Sequence, residues 1–304
     1  MRTTYIEQPA RSALNRVSGM MFNWSLNPYT GCAHRCTFCY VRAFEKRADR
    51  PSDDRYGRAI RVKTNLVELL RQELARPSWK REEVVIGAAT DPYQPPESRY
   101  KLTRGAISVL AAAHTPFGII TRGPMIMRDV DVLADAAKRV KVRINVSIPS
   151  LDRRIVKTTE PGTAPPRQRL RAVKLLVDAG LDVGVALAPI LPGLSDDPAG
   201  LSEVLKAARE HGATRVWATP LNLRPGTREH FLEALARDWP ELLGRYEGLY
   251  ARNAYLSKEE TSRVQSQVAG LARVHEIADR RTVRLTPPPE PAQLGLWPEA
   301  AERR

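Results

Sequence analysis

FNWSLNPYTGCAHRCTFCYVR, residues 22–42, holds the first strand of the parallel series and, directly after it, all three cysteines of the chain. FNWSLNPYTG (22–31) reads as a strand and its exit loop, closing on Gly31, where the missing Cβ lets the backbone turn tightly. Cys32, Cys36 and Cys39 follow with the spacing C-x3-C-x2-C. Reactive side chains thus sit where a strand ends, and the rest of the chain repeats that arrangement.

TNLVELLRQELAR (64–76) has helical spacing with Thr64 as expected N-cap, and EEVVIGAATDPY (82–93) is a buried strand running into a loop. The alternation continues through helix 103–114, strand 117–124, helix 128–139 and strand 140–150. Helix 165–180 is opened by proline and closed by glycine, and strand 182–193, helix 201–212 and strand 214–222 complete the series. Six strands separated by helices imply a parallel sheet with right-handed crossovers. No glycine-rich dinucleotide fingerprint follows the first strand. Instead Thr90-Asp91, Thr121-Arg122, Ser147, Pro189-Ile190 and Thr219-Pro220 fall at strand ends, the layout of a β/α barrel with its site at the C-terminal mouth. The expected fold is α/β: a partial (β/α)6 TIM-like barrel, open on one side, with a C-terminal helical extension. The expected boundaries are an irregular N-terminal arm (1–21), the barrel core (22–225), the helical extension (226–285) and a Pro-rich tail (286–304).

Composition fits a soluble protein: 42% hydrophobic and 27% charged residues, with no apolar run of membrane-spanning length. The N-terminus lacks the apolar core of a signal peptide, so the expected compartment is the cytoplasm and no membrane partner is expected. A formal charge of +14 makes nucleic acid the first polyanion to consider, although the basic residues are spread along the chain rather than gathered in a tail.

Three cysteines within eight residues are a poor disulfide framework and a good metal-ligand set. Three thiolates on one loop can wrap three corners of a 4Fe–4S cubane and leave the fourth iron open. Phe38, just before the last cysteine, is placed to shield the cluster edge or to stack on a ligand. The competing reading is zinc on three cysteines and His34, but zinc modules use two separated pairs and His34 is cramped beside Cys36. His114, His211, His230 and His275 lie on helical segments, where capping or solvent exposure is the expected reading.

The motif C-x3-C-x-(aromatic)-C resembles the signature of the radical S-adenosylmethionine (SAM) superfamily. NPYTGCAHRCTFCYVR, TDPYQPPE (90–97), ITRGPMIMRDVDVL (120–133), VSIPS (146–150) and LAPILPGLSD (187–196) look like its branch related to spore photoproduct lyase, often labelled DNA-repair-photolyase-like. The resemblance implies a lyase-like radical enzyme with a 4Fe–4S cluster and SAM as cofactors. It also implies a small reducing protein of flavodoxin or ferredoxin type as electron donor. By position, Thr90 and Asp91 would face the methionine ammonium of SAM and Ser147 its ribose. Arg167 or Arg169 would pair with the methionine carboxylate, and Ile190 and Leu191 would pack the adenine. Tyr93, Arg122 and Arg128 follow strand ends on the substrate side, with surface packing as the equal alternative.

The lyase uses an additional cysteine as hydrogen donor, and none is left in this chain. Tyr93 or Tyr100 would have to replace it. The same count leaves no ligands for a second cluster. The reading from another class is a non-catalytic zinc or iron–sulfur module that binds nucleic acid.

Overall fold

The computed structural model describes residues 3–279, so the expected tail at 286–304 lies outside the described residues. Strands are β1 (Thr4–Gln8), β2 (Leu14–Arg16), β3 (Trp24–Leu26), β4 (Tyr29–Thr30), β5 (Ala59–Lys63), β6 (Val84–Ile86), β7 (Phe117–Thr121), β8 (Val142–Ser147), β9 (Val183–Ile190), β10 (Arg215–Pro220) and β11 (Ala278–Asp279). The main sheet runs β11-β10-β9-β8-β7-β6-β3-β2. Its six central strands are those expected from the sequence, and every pair among them is parallel. Among the described residues the barrel does not close: the sheet ends on antiparallel β2 at one side and parallel β11 at the other.

The helices are α1 (Arg42–Arg47), α2 (Leu66–Leu74), α3 (Glu97–Tyr100), α4 (Leu102–Ala112), α5 (Val130–Ala137), α6 (Arg153–Thr159), α7 (Pro166–Asp178), α8 (Pro198–Glu210), α9 (Thr227–Asp238), α10 (Leu243–Leu249) and α11 (Lys258–Val274). Alternation along the strands divides their faces. Ile86, Ile119, Ile144, Val146, Val185 and Val216 face the helices and join Leu70, Leu110, Leu133, Val173 and Leu205 in the main core. Each such side chain contributes about 1.5–3 kcal/mol on burial. The opposite face carries Ser25, Gly118, Arg143, Asn145, Gly184 and Arg215, small or polar residues that line the hollow of the barrel.

Three local expectations change. The first 21 residues are not an irregular arm: β1 pairs in parallel with β5, which also takes β4, and β2 extends the main sheet. Thr64 is not the N-cap of α2. Asn65 holds that position, and its amide is occupied by Ala10, accepting from the Ala10 N–H (2.7 Å) and donating to the Ala10 carbonyl (3.0 Å). α8 begins at Pro198 rather than at 201, because Asp197 caps it by accepting from the Gly200 N–H (2.8 Å).

Candidate active site

The cysteine loop leaves β4 through Gly31 (φ 85°) and is built of consecutive tight turns. The N–H of Arg35 donates to the Cys32 carbonyl (3.3 Å), that of Cys39 to Cys36 (3.2 Å) and that of Arg42 to Cys39 (3.1 Å). Surrounding elements fix this backbone. Thr90 Oγ1 donates to the Gly31 carbonyl (2.7 Å), and Gln94 both donates there (3.2 Å) and accepts from the Ala33 N–H (3.0 Å). Gly162 N–H reaches the His34 carbonyl (3.0 Å), Thr37 N–H the Thr159 carbonyl (2.8 Å), and Thr227 Oγ1 the Cys39 carbonyl (3.0 Å).

Behind the loop lies Arg42, 1% exposed. Its guanidinium donates to the carbonyls of Cys36 (3.3 Å), Arg35 (3.4 Å), Ser52 (2.6 Å) and Asp53 (2.7 Å), and lies over the Tyr56 ring at 4.6 Å. A planar fork with five donors suits this clamp, and a lysine would not. Burial lowers its pKa, while Cys39, Tyr56 and Cys36 act in the opposite direction.

Cys32 and Cys36 are buried and Cys39 is half-buried, its Sγ 3.5 Å from Tyr56 Oη. Burial pushes the Cys32 thiol up to about 12, with the charges of Asp91 and Cys39 adding to it. Burial likewise pushes Cys36 well above the ordinary thiol value, Arg122 opposing and Glu160 and the other two cysteines adding. The three thiols therefore sense one another. Among the described residues no three His, Cys, Asp or Glu side chains stand in a finished metal-ligand arrangement. Cys36 and Phe38 share a second apolar cluster with Leu191, Leu221 and Phe231, whereas Ile190 belongs to the main core.

A buried charged network lies beside the loop. Asp91 Oδ1 accepts from Thr121 Oγ1 (2.7 Å) and the Tyr93 N–H (2.9 Å), and Oδ2 from the Arg122 N–H (2.6 Å) with His34 Nδ1 at 3.4 Å. A carboxylate offers about four lone-pair sites, and three of them accept hydrogen bonds here. Arg122 donates to the Ala188 carbonyl (2.6 Å), lies 5.5 Å over the Phe38 ring and stands 3.4 Å from Glu160. Glu160 pairs with Arg169 at 2.7 Å, and both side chains have 0% exposure. Arg169 also donates to the carbonyls of Ala164 (2.9 Å) and Ser147 (3.0 Å).

The structure thus brings Cys32, Cys36, Phe38, Cys39, Thr90, Asp91, Ser147, Arg169 and Leu191 into one region. Arg167 is exposed on the first turn of α7, outside it. Thr90, Asp91 and Arg169 occupy the expected strand and helix ends, but their polar atoms bond protein. Tyr93 is buried in the main core, and the Tyr100 hydroxyl donates to Glu7 (2.6 Å) of β1. Neither joins the cysteine loop; Tyr40 and Tyr56 do. Arg128 is spent on Glu97 (3.0 Å) and Asp129 (2.8 Å). His230 is neither a cap nor exposed: it is 7% exposed, and burial, with Arg42 adding, lowers it to about 4. Arg42, Gln94, Glu160 and Gly162 carried no signal in the sequence, because each is defined by contacts across the fold.

Gly162 offers a direct test of the anchoring. A Cβ there would lie 2.2 Å from the Ala33 carbonyl oxygen and 2.8 Å from His34 Cα, both backbone. Gly162→Ala is expected to displace the loop and lower stability by about 1–3 kcal/mol in urea unfolding. An unchanged midpoint would mean that the loop yields freely.

The Radical SAM superfamily model matches residues 26–203. An uncharacterized protein of Mycobacterium tuberculosis (strain ATCC 25618 / H37Rv) is 38% identical over 302 residues, covering 98% of this chain and 87% of that one. An uncharacterized protein of Acidianus two-tailed virus is 29% identical over 224 residues, 70% of this chain and 71% of its own. Among solved structures, a mutant spore photoproduct lyase with bound AdoMet and dinucleoside spore photoproduct superposes with TM-score 0.69 at 17% identity, covering 90% of this chain and 80% of that chain. A spore photoproduct lyase complexed with dinucleoside spore photoproduct gives TM-score 0.69 at 15% identity with the same coverage. These structures share the fold. The family match takes in more than half of the chain, including the whole cysteine loop, and on that ground the protein belongs to the radical SAM superfamily and is a radical SAM enzyme.

Proposed function

We propose that Cys32, Cys36 and Cys39 hold a single 4Fe–4S cluster, which supplies the electron that cleaves SAM reductively to a 5′-deoxyadenosyl radical able to abstract hydrogen from a substrate in the barrel. The observation that carries this reading is the all-sulfur donor set on an anchored loop that follows β3, the first of the six central strands, and the short β4. Members of the superfamily generally need a reductant, and a flavodoxin- or ferredoxin-type protein is the proposed donor.

The chain's own residues orient and exclude water. Thr90 and Gln94 hold the loop on both sides of Cys32, and Arg42 holds it from behind. Phe38 and Leu191 make the apolar wall beside Cys36, with Ile190 in the core beneath. Asp91 is assigned as a positioning residue that ties the end of β6 to the end of β7, in place of direct contact with the ammonium. Arg169 takes the same kind of role toward Ser147 and Glu160. The net charge of +14 favours a polyanionic substrate such as nucleic acid, for which binding should weaken steeply with salt.

Anaerobic reconstitution should give about four irons per chain. Dithionite and SAM should then release 5′-deoxyadenosine. Stoichiometric zinc without 5′-deoxyadenosine would favour the non-catalytic module. His34→Ala separates the two readings further: iron content and cleavage are expected to persist, whereas a zinc site using His34 would lose its metal. No helix among the described residues is long and apolar enough to cross a membrane.

A further inference from the structure

Below the mouth, the inner face of the sheet contains a polar trough that none of the roles above uses. Strand register sets Val85, Gly118 and Arg143 side by side, and in the next row Asn145, Gly184 and Arg215. The two glycines make room for polar side chains from neighbouring positions. A Cβ on Gly118 would stand 3.4 Å from Glu83 Oε1, and one on Gly184 3.0 Å from Asn145 Oδ1 and 3.5 Å from Arg215 Cβ. The side chains of Glu83 and Asn145 therefore lie over the glycines.

Arg143 and Arg215 are each 7% exposed. One nitrogen of each is paired, Arg143 with Glu83 at 3.4 Å and Arg215 with Asp182. The Nε of Arg143 and an Nη of Arg215 are buried with no acceptor among the described residues. Buried donors in proteins are almost always satisfied, so two orphaned guanidinium N–H groups flanking one trough call for an acceptor. Lys141 adds a third cation: burial and then Arg143 depress its amine, Glu83 and Asp182 opposing and Arg215 adding.

We propose that Arg143, Asn145 and Arg215 form an oxyanion seat that holds the phosphate or carboxylate of the substrate within the barrel. The proposal rests on the radical-enzyme reading for the word substrate, and on the trough alone for the anion. The row of Asn145, Gly184 and Arg215 lies two to six residues below the strand ends, about 7–20 Å at the usual strand rise. The ligand class is an organic anion whose charged group and reacting C–H are separated by about that span, so a two-carbon acid is too short.

The test is titration of the full, iron-free chain with inorganic phosphate, and in parallel with acetate, followed by calorimetry. Saturable binding is expected, about tenfold weaker in Arg143→Gln and in Arg215→Gln and partly restored by lysine at either position. Should the glutamine variants fold poorly by circular dichroism, Asn145→Asp keeps the volume and places a negative charge in the trough. It is expected to weaken binding to a similar degree. Phosphate preferred over acetate assigns the substrate to organic phosphates, and the reverse order assigns it to carboxylates. Absence of saturable binding by the wild type, or equal binding by all variants, overturns the seat. The titration needs no cluster. Failure there with 5′-deoxyadenosine still released removes the seat alone, and anion binding without SAM cleavage removes the radical reading alone.

Discussion

Alanine at any one of Cys32, Cys36 or Cys39 is expected to bring 5′-deoxyadenosine release down to background and iron from about four per chain to a small remainder. Each thiolate would hold one corner of the cluster, and no other cysteine exists to replace it. Folding should be affected far less, by about 1 kcal/mol in urea unfolding of the iron-free forms, a normal cost for a small side chain. The loop's hydrogen bonds to Thr90, Gln94, Thr159, Gly162 and Arg42 all involve backbone atoms of the loop and survive the substitution. Iron analysis beside chromatography of the nucleoside product checks both halves. A variant with full iron and full cleavage removes that cysteine from the ligand set.

The second large effect is expected at Arg169→Met. Glu160 and Arg169 are both fully buried and 2.7 Å apart, with Arg122 at 3.4 Å from the same carboxylate oxygen. Burial pushes the Glu160 carboxyl up, but Arg169 and Arg122 outweigh it and hold the group below the usual carboxylate range. Removing Arg169 leaves a buried carboxylate short of its main partner, a loss of about 3–5 kcal/mol at pH 7. Because the folded value is depressed, the wild-type contribution is complete above the unfolded value of about 4.3 and disappears as pH falls through the folded one. Urea midpoints from pH 7 down to pH 3 should therefore converge for the two proteins at the acid end. A loss under about 1 kcal/mol at pH 7 would show that Arg122 alone suffices. Replacing both partners, as Arg169→Met with Glu160→Leu, should recover part of the loss.

The six parallel strands were legible because each is a β-branched run of the right length between turn residues, as in FGIITRGP and VKVRINVSIPS. The cysteine loop was legible from spacing alone. β1 was not, since its Thr4–Gln8 side chains are all exposed and the burial alternation that marks a strand is missing. β11, with two residues, is too short for any period. At the site, strand-end position picked out Thr90, Asp91 and Ser147, but the direction in which a polar group is spent depends on distant partners. Asp91 meets Thr121 and Arg122 across 30 and 31 residues, and Gln94 meets Ala33 across 61. Arg42 reads as an ordinary helix residue until Tyr56 and the Ser52 and Asp53 carbonyls fold over it.

The clamp around Arg42 bears on how such a protein lives with oxygen. Its loop is shaped by hydrogen bonds within the chain, so the loop is expected to keep its conformation without metal, unlike small zinc domains that unfold without their ion. A chain stripped of iron by oxidation would remain folded, its thiols still on a preformed loop. Damage of that kind would then be repairable by reloading rather than by synthesis of a new chain.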